Sequence, residues 1–195
     1  MKASFWYRLL AYIIDIIIVG LTVSVICTAL PKKSSLSNME LNTLENQLIK
    51  GEITAEKYIE EYKVILYNNN KDSIIETTIG LLLTVGYFIV FQYMNKGQTI
   101  GKRLLKIRVV DNDTGKPPTI TKGFIRTIIV FNIISSFVSS ILINYLSKST
   151  YISSYIIITE IEYLLVTISI LFIIFRKDGR GIHDLISNTK VIEER

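Results

Sequence analysis

The sequence predicts an all-α membrane protein. Its fold class is a four-transmembrane-helix bundle, N-in/C-in, with a small cytoplasmic β ribbon and an external helical hairpin loop. Three observations lead there. Four blocks of the 195-residue chain are apolar over about 20 positions each, the length a helix needs to cross a hydrocarbon core. Lys and Arg gather in alternate connections between those blocks. The connections themselves carry helix, strand and turn signals. A mean hydropathy of +0.39 understates the blocks, because charged loops dilute them.

The first span, 9–30, is preceded by Phe5-Trp6-Tyr7-Arg8 and interrupted only by Asp15. The second, 74–94, starts with Glu76, Thr77 and Thr78 and is then nearly pure Leu, Ile, Val and Phe. The third, 123–146, holds Arg126 one turn inside its start and many Ser and Asn along it. The fourth, 151–175, carries Glu160 and Glu162 in its first half. Segments this long and unpaired keep their backbone hydrogen bonds in lipid only as helices. A soluble protein with the same helices buried would need more polar cover than so small a chain has. A cleaved secretory signal at the N-terminus would need an unbroken apolar stretch, which Asp15 interrupts.

Orientation follows from the short loops. The 96–122 loop carries Lys96, Lys102, Arg103, Lys106, Arg108, Lys116 and Lys122 against only Asp111 and Asp113. The 176–195 tail adds Arg176, Lys177, Arg180, Lys190 and Arg195, and the N-terminus Lys2 and Arg8. In the 31–73 loop six Lys, Lys32 and Lys33 among them, are offset by seven acids. This bias places the basic loop and both termini in the cytoplasm and the 31–73 loop outside. The chain 1–195 thus reads as one membrane domain, with Trp6, Tyr7, Tyr93, Tyr145 and Tyr151 at the predicted interfaces.

The loops are patterned. Leu41, Leu44 and Leu48 stand at helical spacing, Gly51 breaks the run, and Thr54 caps a second stretch with Tyr58, Ile59, Tyr62 and Leu66 on one face. The segment reads either as a helical hairpin on the outer surface or as a solvated spacer. On the inner side, Ile100, Leu104 and Ile107 oppose Lys102, Arg103 and Lys106, a basic amphipathic turn suited to anionic lipid headgroups. Residues 106–110 read as a strand, 111–115 as a turn, and 189–192 as a second strand able to pair with the first.

Composition excludes several chemistries. One Cys and one His rule out a disulfide framework and Cys- or His-rich metal centres, and no cofactor is expected. The sequence has no hydrolase elbow, zincin helix or phosphate loop. Asp111-x-Asp113-x-Gly115 lacks the acid a calcium loop needs at its twelfth position, which is Lys122. His183-Asp184 is a tempting acid-base pair, but adjacent residues rarely orient one another. No enzyme is expected, nor nucleic-acid binding, since the basic residues follow span ends without a stacking platform.

Charges within spans are costly and carry the functional candidates. Asp15 is the deepest, and Arg8, Ala11, Asp15 and Thr22 share a helix face. The axial rise from Arg8 to Asp15 is about 10 Å, long for a direct bond. Arg126 or the cytoplasmic tail is therefore the expected partner of Asp15. Glu160 and Glu162 point to different sides, with Glu160 the stronger candidate for ion or proton coupling beside Asp15, Arg8 and Arg126. The alternative for Asp15 is a buried ion pair that fixes helix register.

Three motif blocks stand in a fixed order along the chain. The first is Trp6-Tyr7-Arg8-Leu9-Leu10-Ala11-Tyr12-Ile13-Ile14-Asp15. The second is Gly97-Gln98-Thr99-Ile100-Gly101-Lys102-Arg103 running on to Val110. The third is Gly179-Arg180-Gly181-Ile182-His183-Asp184 running on to Val191, with Arg126 between it and the second. Together they resemble the RDD family of bacterial membrane proteins, named for one Arg and two Asp that match Arg8, Asp15 and Asp184. The motif positions are Arg8, Asp15, Gly97, Thr99, Gly101, Lys102, His183 and Asp184. The resemblance leaves out the 31–73 loop, which looks like an insertion. It implies a multi-pass protein of the bacterial cell membrane, related to transport, since some members are described as sodium/proton antiporters. Monovalent cations and protons are then the expected partners, with Asp15 carrying the proton. Four helices are few for a complete pathway, which points to a homo-oligomer. The competing reading is a non-transporting scaffold or partner-binding module in which the Arg and Asp set is structural and Asp184 clamps the tail under the bundle.

Overall fold

The structure, a computed structural model, describes residues 1–30 and 36–194. Lys32, Lys33 and Arg195 of the charge pattern lie outside the described residues. Among the described residues three helices are long and apolar enough to cross a membrane: α1 (Phe5–Cys27), the helix Ile74–Met94, and α9 (Lys148–Phe175). The helix Ile74–Met94 is built from α4 (Ile74–Val85), a π-helical turn (Gly86–Phe91) and α5 (Gln92–Met94). Leu21, Val25, Leu82 and Phe175 on these helices are exposed, as side chains facing lipid would be.

The third expected span is not one straight helix. It is α7 (Ile120–Val130) and α8 (Ile133–Ile141), and the pieces Ile120–Val130 and Ile133–Asn144 meet at 81°. Counting that bent pair as one crossing gives four spans. The break lies at Asn132, whose φ of 49° and ψ of 40° put it in the left-handed region that Asn tolerates best after Gly. Ser135 and Ser136 donate their hydroxyls to the Asn132 carbonyl at 3.1 and 2.9 Å. Hydropathy alone is blind to this, because the residues around Asn132 are as apolar as the rest of the span.

In the 31–73 segment lie α2 (Leu36–Ile49) and α3 (Ala55–Asp72), paired across a turn with Gly51 at φ 71°. The Thr54 hydroxyl accepts from Lys57 N and caps α3, and Leu44 is buried against it. Only Ser73 separates α3 from α4. Near its end α3 is tied to α9: Asn70 Nδ2 donates to Tyr151 Oη at 3.0 Å, and Tyr67 meets the Tyr151 ring edge-on.

At the other end of α9 the chain forms a cap. β1 (Ile107–Asp111) pairs antiparallel with β2 (Thr189–Glu193), Val109 opposite Val191. Ala3 N donates to Val191 O, and Glu193 N to Met1 O, so both ends of the described chain meet at this ribbon. Val109, Val191, Ile107, Ala3 and Ala11 bury one another into a small core that seats the ribbon on the start of α1. Two short helices, α6 (Ile100–Leu104) and α10 (Ile182–Ile186), link the ribbon to the bundle.

Candidate functional site

The motif residues converge on two buried carboxylates beneath this cap. Asp15, 1 % exposed, holds the first. Its Oδ1 accepts the Tyr87 hydroxyl and the Gly101 backbone N–H, each at 2.7 Å, and its Oδ2 accepts the Thr99 hydroxyl at 2.5 Å. Tyr87 Oη in turn accepts Ile100 N at 3.0 Å, and Thr99 Oγ1 accepts Lys102 N at 3.4 Å. The N–H groups of Ile100, Gly101 and Lys102, left unpaired at the start of α6, are thus each met, with Asp15 at the centre. The expected partner of Asp15, Arg126 or the tail, is corrected by this geometry. Arg126 turns to another acid, and the loop folds back onto α1 instead.

Glycines make that return possible. Gly97 has φ 91°, and a Cβ there would stand 2.2 Å from Val109 O, where the loop passes β1. At Gly101 a Cβ would meet Ala11 O at 2.4 Å. The π-helical turn sets the other wall, because Tyr87 lies within it.

Asp184, fully buried, is the second centre. Arg8 Nη1 donates to its Oδ2 at 2.9 Å, and Arg126 Nη1 donates to its Oδ1. Gly181 N and the Thr189 hydroxyl add bonds at 3.2 and 3.3 Å. Burial works against the charge, and the guanidinium groups of Arg126 and Arg8 outweigh it, holding the carboxyl below the ordinary range. Arg180 spans the same turn, donating from Nε to Thr189 O and from Nη2 to Asp184 O. Arg8, Arg126 and Asp184 therefore come together, while Asp15 stands apart with neutral partners.

His183 lies beside them. Its Nδ1 shares a 2.5 Å hydrogen bond with Ser169 Oγ on α9, and its Nε2 is 3.6 Å from Asp184 Oδ2. Sequence reading did not single out Ser169, which lies 14 residues from His183 on the last, mostly apolar turns of α9. The three resemble a nucleophilic triad in composition. Burial, helped by Arg126, pushes the imidazole down to about 3, which makes it a poor proton acceptor at neutral pH. A Cβ at Gly181 would stand 2.6 Å from Ser169 Oγ, so the glycine lets the tail close on α9.

The acids of α9 divide as their spacing requires. Glu160 is exposed on the outside of the bundle and joins neither centre. Glu162 is the one that turns inward, 2 % exposed, and its Oε1 accepts Ile134 N at 2.9 Å and Ser135 N at 3.3 Å at the start of α8. Among the described residues no group of three or more His, Cys, Asp or Glu could hold a metal ion.

Beside the two centres lies a cavity of about 340 Å³ lined by Arg8, Asp15, Lys102 and Arg126 together with apolar residues of α1, α7 and α9. Lys102 Nζ donates to Gln92 Oε1 at 2.7 Å and lies 5.9 Å from the Phe88 ring centre.

A bundle of apolar helices closed at one end by a strand pair, with an acid of the first helix clasping one loop and two arginines clasping the tail, defines an integral membrane domain. The match of its residues 2–188 to the family model makes the assignment specific: the chain belongs to the RDD family. No curated protein and no solved structure matches it.

Proposed function

We propose that this protein is a membrane module in which Arg8, Asp15 and Asp184 act as structural clamps that hold a basic cap against the bundle. One observation carries the reading. Both oxygens of Asp15 accept hydrogen bonds, three in all and one of them from a backbone N–H, so the carboxylate ties the α6 loop to α1 through neutral donors. The Lys and Arg bias puts the cap, the β ribbon and both termini in the cytoplasm and the α2–α3 hairpin outside the cell membrane. The cap then meets anionic headgroups with Arg103 and Lys106 exposed. No catalysis belongs to this reading, because the sole His is held neutral and buried.

Transport is the second reading, a sodium/proton antiporter or a subunit working as a homo-oligomer. The broken α7–α8 span favours it, since interrupted helices build midplane sites in many transporters. Asp15→Asn separates the two. The Asn amide oxygen keeps the Gly101 and Tyr87 bonds, and its NH2 donates to Thr99 in place of accepting from it. Under the clamp reading the variant accumulates normally, and inverted vesicles of either form show no sodium-driven pH change. Asp15→Ala, which leaves three donors unmet, lowers its abundance in membranes. A sodium-driven pH change in wild-type vesicles, lost in Asp15→Asn at equal abundance, would install the transport reading instead.

A further inference from the structure

The cavity under the cap has a charge pattern that the clamps do not use up. Three cationic side chains line it: Arg8, Arg126 and Lys102. Asp184 answers the two arginines, and Asp15 spends both its oxygens on neutral donors. The Lys102 ammonium has the Gln92 amide oxygen and the face of the Phe88 ring, and among the described residues it has no ion-pair partner. Burial, with Arg126 adding to it, pushes its ammonium down to about 7 although Asp15 and Asp184 pull the other way. That is the behaviour of a cation short of a counter-charge. Arg8 Nε, on a side chain 9 % exposed, is also buried without a partner.

The rest of the lining is largely apolar: Leu9 and Tyr12 from α1, Phe131 after α7, and Ile170 and Ile173 from α9. Here α1 packs chiefly on α4 and α6, and α9 on α7, α8 and α10, while side chains of both α1 and α9 line the cavity. Tyr12 and Ile170, which line it, are partly exposed and belong to helices long and apolar enough to cross a membrane. Cationic donors beside apolar side chains suit a ligand with an anionic head and an apolar part, and about 340 Å³ is within the range of small-molecule sites.

We propose that this cavity binds the phosphate headgroup of an anionic membrane lipid, with Lys102 and Arg8 Nε as its donors and the acyl chains leaving between α1 and α9. The site lies inside the bundle, distinct from the exposed basic surface of the cap. It stands whether the protein proves to be a scaffold or a transporter, because it does not involve proton movement by Asp15.

The test is native mass spectrometry of the full chain released from micelles doped with phosphatidylglycerol or phosphatidylcholine. The wild type retains one phosphatidylglycerol under activation that strips phosphatidylcholine. Lys102→Gln lowers the retained fraction about tenfold, the weight of one charge-assisted hydrogen bond, and Lys102→Arg restores it. Arg103→Gln, on the exposed side of α6, leaves retention unchanged. Val166→Phe fills the cavity from α9 without altering any charge and abolishes retention. Equal retention of both lipids in the wild type overturns the proposal, and so does an equal loss in Arg103→Gln, which would mean surface attraction. Glycerol 3-phosphate that displaces the lipid at equal concentration also overturns it, because the site would then belong to a soluble anion.

Discussion

The backbone N–H of Gly101 lies 2.7 Å from Asp15 Oδ1, in a space where a single added carbon would stand 2.4 Å from Ala11 O and 2.8 Å from that same carboxylate oxygen. Two chain segments 86 residues apart are thus joined at a distance only glycine allows. Because α6 begins here, the contact fixes where the basic loop sits and leads the chain into β1.

Gly101→Ala therefore pushes α6 off α1. Neither the α1 backbone nor the Asp15 carboxylate can yield without losing a bond, so the change costs at least the about 1–3 kcal/mol of ordinary overpacking. The expected result is a lower thermal unfolding midpoint in micelles. Gly80→Ala is the matched control, since no atom lies within 4 Å of a Cβ there. Equal midpoints for the two variants would show that the close approach carries no weight.

Asp15 and Asp184 stand out in the sequence because one interrupts an apolar run and both sit in motif blocks. Of their partners, Arg8, Thr99 and Gly101 stand in the same motif blocks, whereas Tyr87 does not, and which donor meets which acid is set by the fold. Tyr87 and Thr99 are 72 and 84 residues from Asp15, and Arg8 is 176 from Asp184, separations over which no helical or strand periodicity carries information. The strands of the ribbon are legible locally, from β-branched runs next to turn residues. The bend at Asn132 is not, since a lone Asn in an apolar span reads as a tolerated polar residue until its backbone is seen. Spacing alone says that Glu160 and Glu162 face different ways. Which of them faces inward depends on the rotation of α9 against α8, a property of packing.

Acid should loosen the cap through His183. The imidazole has an ordinary value of 6.5 and is held at about 3 in the fold by burial first and then by Arg126, Arg8 and Lys102. Between these values the unfolded chain takes up a proton that the folded chain refuses. The contribution of the neutral imidazole is therefore complete above pH 6.5 and falls as the pH drops toward 3. At pH 4.5 the loss is about 2–3 kcal/mol, from 1.36 kcal/mol for each pH unit. Asp184, whose folded value is depressed, keeps its contribution above its ordinary value of 3.8 and gives it up only below that. The chain has one His, so His183→Asn flattens the thermal midpoint between pH 6.5 and 4.5. A wild-type midpoint that does not move over that window would contradict the buried neutral state.

The break in the third span gives the remaining prediction, because helix ends inside a bilayer have no water to turn to. At the start of α8 the N–H groups of Ile134 and Ser135 both point at Glu162 Oε1, while Glu162 Oε2 is buried without a partner. The single oxygen that accepts is what the bend needs, and the charge is not. Glu162→Gln presents the same acceptor and should leave abundance and thermal midpoint close to wild type. Glu162→Ala strands two donors, each costing about 1–3 kcal/mol when buried unpaired, and should lower the midpoint or empty the membrane of protein. Glu160→Ala, on the exposed face of α9, should change neither. A Gln variant as damaged as the Ala variant would mean that the carboxylate is required for its charge, and Glu162 would then take the place among ion-coupling residues that the sequence suggested for Glu160.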